Sequence, residues 1–436
     1  MHFIILQEGY SGLFQALGCH SRLGGMVADR QIKLAILMSY AIFAILLNSV
    51  GTVILQSIEH FHVGKVAAST LEGFKDLSIA AASFVLASLL PRIGYRRGMM
   101  AGLALVAAAC MLMPLLDSFW MTRLLFLSVG IGFALTKVGV YSFIGLLTQS
   151  SRGHASLLNL VEGAFMFAVL AGYWLFSNFI DPANPGSPGW LQVYWWLAGA
   201  AVLNVALLAT ARFDESAARD EAHPTSPVED FRAMLGLAAR PATLVFVLSI
   251  FLYVLIEQGV GSWLPTFNRE ILGLSAPMSV QAASIFAVGL GLGRLGAGAI
   301  VRRTGWYPLL VVCLAATAAL IVLALPLAGQ HRGATIEHWT AAPVATFILP
   351  LVGLFMAPIY PALNSAILSA MPRTRQSAMV GLIVVFSALG GTTGSFIIGR
   401  TFAGLGGNRA FYLLLIPIAG VFFAMTRLRT LVARDG

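Results

Sequence analysis

The chain has 436 residues, 58% of them hydrophobic and only 10% charged, with a mean hydropathy of +0.85 and a formal net charge of +9. Soluble domains carry about 25% charged residues, so this composition excludes a soluble protein and indicates an integral membrane protein. A pI of 9.8 would also suit a nucleic-acid-binding protein, but the arginines collect in short loops, as cytoplasmic loops of membrane proteins require. We therefore expect the lipid bilayer, and no nucleic acid, as a partner.

The first 25 residues fit neither a signal peptide nor a membrane span, because no basic segment precedes their short apolar run. Met26 is followed by a polar segment that leads into the first apolar run. We predict that the chain naturally starts at Met26 and that residues 1–32 form a cytoplasmic N-terminal extension.

Runs of about 20 apolar residues, each long enough to cross a ~30 Å hydrocarbon core, recur along the chain and predict an all-α protein with twelve membrane-spanning helices. The predicted spans, numbered 1 to 12 in chain order, are about 33–56, 66–90, 98–116, 123–147, 156–178, 191–211, 242–265, 279–301, 306–326, 344–370, 377–399 and 409–426.

The longest polar stretch, residues 212–240, is rich in charge, Pro and Ser and divides the spans six and six. It predicts a cytoplasmic linker between an N-terminal bundle, 33–211, and a C-terminal bundle, 241–427, with a cytoplasmic tail at 428–436.

Lysines and arginines are distributed unevenly between the two sides of the predicted topology. With the N-terminus inside, eighteen lie in cytoplasmic segments and six in outer segments. This bias predicts that both termini are cytoplasmic, and we expect a bacterial inner membrane.

The two halves repeat one short turn. Residues 91–96 read Pro-Arg-Ile-Gly-Tyr-Arg between spans 2 and 3, and residues 302–307 read Arg-Arg-Thr-Gly-Trp-Tyr between spans 8 and 9. A basic turn with glycine at a fixed place, repeated after six helices, favours a duplicated architecture.

This turn resembles the loop motif of the major facilitator superfamily. Ala87 and Pro91 stand where the motif has Gly and Asp, and the matching residues are Arg92, Gly94 and Arg96 in the first copy and Gly298, Arg302, Arg303 and Gly305 in the second. The resemblance implies two pseudo-symmetric six-helix bundles that rock around a central site. It implies gating roles for these loop residues and for Arg294, no cofactor, and a monomer.

Further segments resemble the fucose–proton symporter-like sugar permeases within that superfamily. They are Gly293-Arg294-Leu295-Gly296 in span 8, Tyr360-Pro361 and Asn364-Ser365 in span 10, and Leu158-Asn159-Leu160 at the start of span 5. The branch places an Asn-Asp pair in span 1 and a Glu in span 4, where this chain has Asn48-Ser49 and Lys137. Its coupling chemistry therefore does not transfer directly.

Charged residues inside the predicted spans indicate a solute or proton path, because a charge at mid-bilayer costs roughly 2.5–3.5 kcal/mol on insertion scales. Glu72, Lys75 and Asp76 share one helical face of span 2, while Lys137 lies in span 4 and Glu162 in span 5. We expect Lys75 to pair with Glu72, and Asp76, Lys137 and Glu162 to form a proton relay. The alternative is a set of permanent ion pairs that only clamp helices together.

Other polar and aromatic residues are candidates for substrate binding in a cavity between spans 1, 2, 4, 5, 7, 8, 10 and 11. They are Asn48, Asn159, Glu257, Gln258, Trp263, Tyr360 and Asn364. Glu257 and Gln258 either line the cavity or cap it, and Trp263 and Tyr360 either stack on a sugar ring or pack between helices. Arg294 lies near the inner end of span 8 and is interpreted mainly as a structural part of the gate.

The sequence therefore predicts a secondary transporter that moves a small polar solute, a sugar or sugar-like metabolite, by proton symport. Proton-driven efflux of a drug or metabolite is an alternative, as is a non-transporting sensor or scaffold. No His-rich, Ser-His-Asp or metal-ligand pattern appears in the sequence, so we expect neither an enzyme nor a metal site.

Overall fold

The structure, a computed structural model, describes residues 30–148, 150–211, 234, 236–238, 240–328, 335–369 and 371–435. Most of the predicted N-terminal extension, the start at Met26 and most of the predicted linker lie outside the described residues.

Within the described residues the chain is helical apart from turns and one isolated bridge between Leu274 and Ile336. In the described part of the chain eleven helices are long and apolar enough to cross a membrane, and the 29-residue helix with Glu72, Lys75 and Asp76 completes the twelve spans. The prediction of twelve spans is confirmed. Their helices are Arg30–Asn48 with Val50–His60 (span 1), Lys65–Ile93 (2), Tyr95–Leu116 (3), Phe119–Leu146 (4), Ser151–Ser177 (5), Val193–Thr210 (6), Pro241–Glu270 (7), Ala276–Thr304 (8), Trp306–Ala328 (9), Ala345–Ile348, Val352–Met356 and Ile359–Ser369 (10), Arg373–Leu405 (11), and Gly407–Tyr412 with Leu415–Asp435 (12).

Span 1 is interrupted beside the centre of the protein. The Asn48 amide donates to the Ala44 carbonyl at 2.9 Å and the Ser49 hydroxyl donates to the Leu46 carbonyl at 2.8 Å. Such bonds back to the preceding turn compete with the helical ladder and bend helices. The helix ends at Asn48 and a new one begins at Val50.

The two halves meet mainly where span 2 packs on span 11, span 5 on span 8, and span 1 on span 7. Span 1 approaches span 7 closely at Gly51, where an added Cβ would lie 2.9 Å from the Gly261 carbonyl oxygen. We call the membrane face on which span 1 begins the terminal face, and the opposite one the far face. Because each span crosses once, span 12 ends on the terminal face.

Polar contacts between the halves concentrate near the far face. Arg269 at the end of span 7 lies 3.1 Å from Glu59 at the end of span 1, and Lys65 at the start of span 2 lies 3.0 Å from Glu270. These contacts join the ends of spans 1, 2 and 7, so the two halves are held together at this face.

The repeated turn has the same backbone form in both halves. Gly94 has φ 101° and Gly305 has φ 80°, and each donates its N–H to the carbonyl four residues earlier at 2.9 Å. Each glycine ends one span, and the next helix begins at the following residue. This region of backbone conformation is open essentially to glycine, which explains why the sequence repeats Gly at this place.

Each turn is tied to the last span of its own half. Arg96 donates to the Ala211 carbonyl at the end of span 6. In the second half the guanidinium of Arg429 lies 4.5 Å from the ring centre of Tyr307, next to the turn. Arg302 and Arg303 are exposed at the terminal face, and the side chain of Arg92 lies outside what the structure describes.

Replacing Gly305 by alanine should destabilise the protein, because a Cβ is strained at this backbone conformation by about 1–3 kcal/mol. Gly298→Ala in the same span is the matched control, since a Cβ there meets no atom within 4 Å. Thermal unfolding of the detergent-purified variants should show a lower melting temperature for Gly305→Ala. Equal melting temperatures for the two variants would contradict the strained turn.

Candidate functional site

A cavity of about 270 Å³ lies between the two halves, with walls from spans 1, 2, 4, 5, 7 and 8. The sequence also predicted contributions from spans 10 and 11, but none of their described residues lines this cavity. The polar and charged residues of its wall are Asn48, Lys75, Asp76, Tyr173, Glu257, Gln258, Ser262 and Arg294.

An ionic cluster in span 2 forms one side of the site. Lys75 bonds to Glu72 and lies 3.3 Å from an oxygen of Asp76, so one ammonium serves two carboxylates. All three residues are buried. The Ser262 hydroxyl in span 7 donates to the second oxygen of Glu72 at 2.6 Å, so the cluster also bonds the two halves to each other.

Glycine in span 11 makes room for the Asp76 carboxylate. A Cβ at Gly391 would overlap Oδ2 of Asp76 and would lie 3.2 Å from Cγ of Gln258. The carboxylate therefore lies against the backbone of the opposite half, and its position is sensitive to any movement between spans 2 and 11.

A second charge pair forms the opposite side of the cavity. A guanidinium nitrogen of Arg294 in span 8 lies 3.6 Å from Oε1 of Glu257 in span 7. Arg294 was expected in the gate at the inner end of span 8, but it lies ten residues before Thr304, about 15 Å along the helix. It is part of the cavity wall, and Glu257 lines the cavity instead of capping it.

A third polar group lies nearer the terminal face. The Tyr141 hydroxyl in span 4 donates to Glu162 in span 5 at 3.1 Å. The Lys137 ammonium lies 5.7 Å from the ring centre of Phe133, which itself lines the cavity. Lys137, Tyr141 and Glu162 are exposed in the protein, which fits a passage from the cavity towards this face.

The expected ion pair between Asp76 and Lys137 is not formed. Among the described residues Asp76 pairs with Lys75, and Lys137 is in no ion pair within 4 Å. The reason is helical depth. Asp76 lies eleven residues from the far end of its helix and Lys137 eighteen from the far end of its own. That difference of seven residues is about 10 Å along the membrane normal, which keeps the two charges apart.

The remaining binding candidates divide into two groups. Asn48 lines the cavity as predicted, and Gln258, which was expected either to line the cavity or to cap it, lines it as well. Trp263 is buried and donates to the Ser395 carbonyl at 3.0 Å, so it packs between helices of the second half. Tyr360 packs on Tyr253 with ring centres 5.7 Å apart. Asn364 and the exposed Asn159 do not line the cavity.

Part of the cavity wall was not predicted from the sequence. Ser262 was not among the predicted residues, whereas its neighbour Trp263 was. Residues one apart on a helix point about 100° from each other, and of these two only Ser262 lines the cavity. Four aromatic side chains also line the cavity, and we list them here: Phe133, Phe165, Tyr173 and Phe286. Aromatic residues are common throughout these apolar spans, so nothing in the sequence distinguishes these four from the packing aromatics.

Comparisons with known proteins agree with this architecture. The model of the Major Facilitator Superfamily matches residues 34–395. The chain is 22% identical over 396 residues to Bypass of stop codon protein 6 of Saccharomyces cerevisiae (strain ATCC 204508 / S288c), which covers 84% of this chain and 76% of that protein.

Two solved transporters are similar in structure. The nucleoside transporter NupG superimposes with a TM-score of 0.71 at 11% identity, covering 92% of this chain and 98% of that one. A D-xylose-proton symporter superimposes with a TM-score of 0.64 at 17% identity, covering 91% and 96%. At these identities the two structures show a shared fold.

Replacing Lys75 by methionine should strongly destabilise the protein, because it leaves Glu72 and Asp76 buried without their cation. Breaking one side of a buried ion pair costs about 3–5 kcal/mol. Adding Glu72→Gln to Lys75→Met should recover part of the loss, because one uncompensated carboxylate is removed.

Lys65→Met in the same helix is the matched control. Its ion pair with Glu270 is partly exposed, with side-chain exposures of 22% and 34%, so the loss should be about 0–1 kcal/mol. Thermal unfolding of the three variants measures the difference. Equal melting temperatures for Lys75→Met and Lys65→Met would show that the cluster is not the buried ionic unit described above.

Proposed function

Because the chain belongs to the Major Facilitator Superfamily and is a transporter rather than an enzyme, we propose that it moves a small polar solute together with a proton by alternating access. The proposed solute is a sugar or a sugar-like metabolite. The observation that carries this proposal is a central cavity, bounded by both halves, whose wall holds charged groups from each half. A nucleoside and a pentose, the cargoes named for two transporters of similar fold, are solutes of this class.

The charges around the cavity leave one carboxylate in excess. Glu72, Asp76 and Glu257 supply three carboxylates, whereas Lys75 and Arg294 supply two cations. An unbalanced charge in a low-dielectric site is costly, and binding a proton removes it. Asp76 and Glu257 both line the cavity, so both are within reach of water and protons that enter with the solute.

The arrangement of contacts supports alternating access. The far face is held shut by Glu59 with Arg269 and by Lys65 with Glu270. The exposed group of Lys137, Tyr141 and Glu162 marks the direction in which the cavity opens. Opening of the far face would require these two ion pairs and the bond from Ser262 to Glu72 to break, which links the gate to the ionic cluster.

The proposed function includes an orientation of the chain in the membrane and a direction of transport. Eighteen lysines and arginines lie in segments on the side of the termini against six on the other, which favours a cytoplasmic terminal face in a bacterial inner membrane. We propose a monomer that takes up its solute. Proton-driven efflux uses the same groups, and the direction of accumulation under a pH gradient distinguishes the two.

Asp76→Asn should abolish accumulation of solute in proteoliposomes under an imposed pH gradient while exchange of solute without a gradient continues. Asparagine keeps the shape of the side chain but carries no exchangeable charge. The solute is first identified by a thermal-shift screen of the purified protein, since a bound solute raises the melting temperature.

Glu337→Gln, an exposed acid near the far face, is the control and should accumulate solute like the unaltered protein. Proton-driven accumulation by Asp76→Asn at the unaltered rate would contradict the role of Asp76. Export in place of uptake under the same gradient would favour efflux. A protein that binds no solute and exchanges none would favour a sensor or a scaffold.

A further inference from the structure

The two cations of the cavity wall differ in how completely they are paired. Lys75 contacts two carboxylates and is buried. Arg294 has one contact with Glu257 at 3.6 Å, longer than the usual hydrogen bond of up to about 3.2 Å. Among the described residues, no other carboxylate lies within ion-pair distance of Arg294. Its guanidinium carries five N–H donors, so most of them are free to bind a solute.

Arg294 is also the more exposed member of its pair. Its side chain is 47% exposed, whereas that of Glu257 is 16% exposed. Both side chains line the cavity, and the more exposed guanidinium presents its free donors to it. A planar guanidinium binds carboxylates through two parallel hydrogen bonds, which is the geometry a solute carboxylate would use.

The neighbours of Arg294 suit a compact ring. Phe286, Ala287 and Leu290 lie one and two turns earlier on span 8 and line the cavity with it, and Gln258 supplies an amide from span 7. Such a wall offers apolar surface to the faces of a ring and hydrogen bonds to its hydroxyls.

From these contacts we propose that the solute is an organic anion of sugar size, such as a sugar acid, and that its carboxylate binds Arg294 in place of Glu257. This inference rests on the proposed transport function and names the class of solute for the same site.

The exchange of partners at Arg294 would couple binding of the anion to uptake of a proton. When the solute carboxylate occupies Arg294, Glu257 loses its cation inside a largely apolar cavity, and protonation removes its charge. The charged and titratable groups around Glu257 are Arg294 from span 8, Lys75 and Asp76 from span 2, and Tyr253 one turn earlier on span 7. The Tyr253 hydroxyl is buried beside Glu257, so it can bond to this carboxyl group when Arg294 turns to the solute.

Three sugars of the same size and ring form test the charge of the solute: D-glucose is neutral, D-glucuronate carries a carboxylate and D-glucosamine carries an ammonium group. Titration calorimetry of the detergent-purified full chain with each sugar measures the affinities. We expect D-glucuronate to bind at least about tenfold more tightly than D-glucose, because hydrogen bonds to charged groups are worth about 1.5–3 kcal/mol.

Variants of Arg294 and Glu257 test whether this pair causes the preference for D-glucuronate. Arg294→Gln should abolish the preference for D-glucuronate, Arg294→Lys should retain part of it, and Arg400→Gln, an exposed arginine of span 11 outside the cavity, should retain all of it. Glu257→Gln should bind D-glucuronate more tightly than the unaltered protein and should lose most of the increase in affinity that the unaltered protein shows at lower pH. Melting temperatures without ligand verify that each variant is folded.

Equal or tighter binding of D-glucose would overturn the anion proposal and leave the transport function standing. Tighter binding of D-glucosamine would also overturn it, by showing that the surplus carboxylate selects the solute. Undetectable binding of D-glucuronate would count against the proposal as well. If the unaltered protein transports none of the solutes in the proteoliposome assay, that result would instead contradict the transport function itself.

Discussion

One buried ammonium holds the centre of this protein together. Lys75 lies between Glu72 and Asp76 inside a membrane helix, and none of the three charges is stable there without the others. Glu72 also accepts the hydrogen bond from Ser262 of the other half, and Asp76 lies against Gly391 of span 11. Any movement between the halves therefore changes the surroundings of these charges. That link is the physical basis for coupling a proton to a conformational change.

The two halves contribute different chemistry to one cavity. The N-terminal half supplies the tightly paired cluster, and the C-terminal half supplies the loose pair of Glu257 and Arg294. A tight cluster resists exchange with a solute, whereas a loose pair permits it. The backbone repeats itself between the halves, as the turns at Gly94 and Gly305 show, but the charged side chains do not follow that symmetry.

The sequence predicted the architecture well because its signals are long or sterically strict. Twelve apolar runs and two glycine turns each specify structure that few alternatives satisfy. The site was predicted in part. The shared face of Glu72, Lys75 and Asp76 followed from helical spacing, and Asn48 lies in the cavity wall as expected. For Glu257 and Gln258 the sequence left lining and capping open, and both line the cavity.

The errors have common physical causes. The predicted relay from Asp76 to Lys137 is wrong because span 4 begins at Phe119, four residues before its predicted start at 123. The earlier start moves Lys137 about 6 Å farther from the far face. Ser262 was missed although its neighbour Trp263 was considered, because a shift of one residue along a helix decides which side chain faces the cavity. Arg294 was placed near the inner end because span 8 was predicted to end at 301, three residues before its helix ends at Thr304.

If the carboxylates of the cavity bind a proton when the solute binds, solute binding should change the pH of the solution. Saturating solute is added to concentrated, weakly buffered protein in detergent, and an indicator dye records the pH. The unaltered protein should take up protons from solution, and Glu257→Gln should take up measurably fewer. Solute binding with no change in pH, or with the same proton uptake by both proteins, would contradict the binding of a proton with the solute.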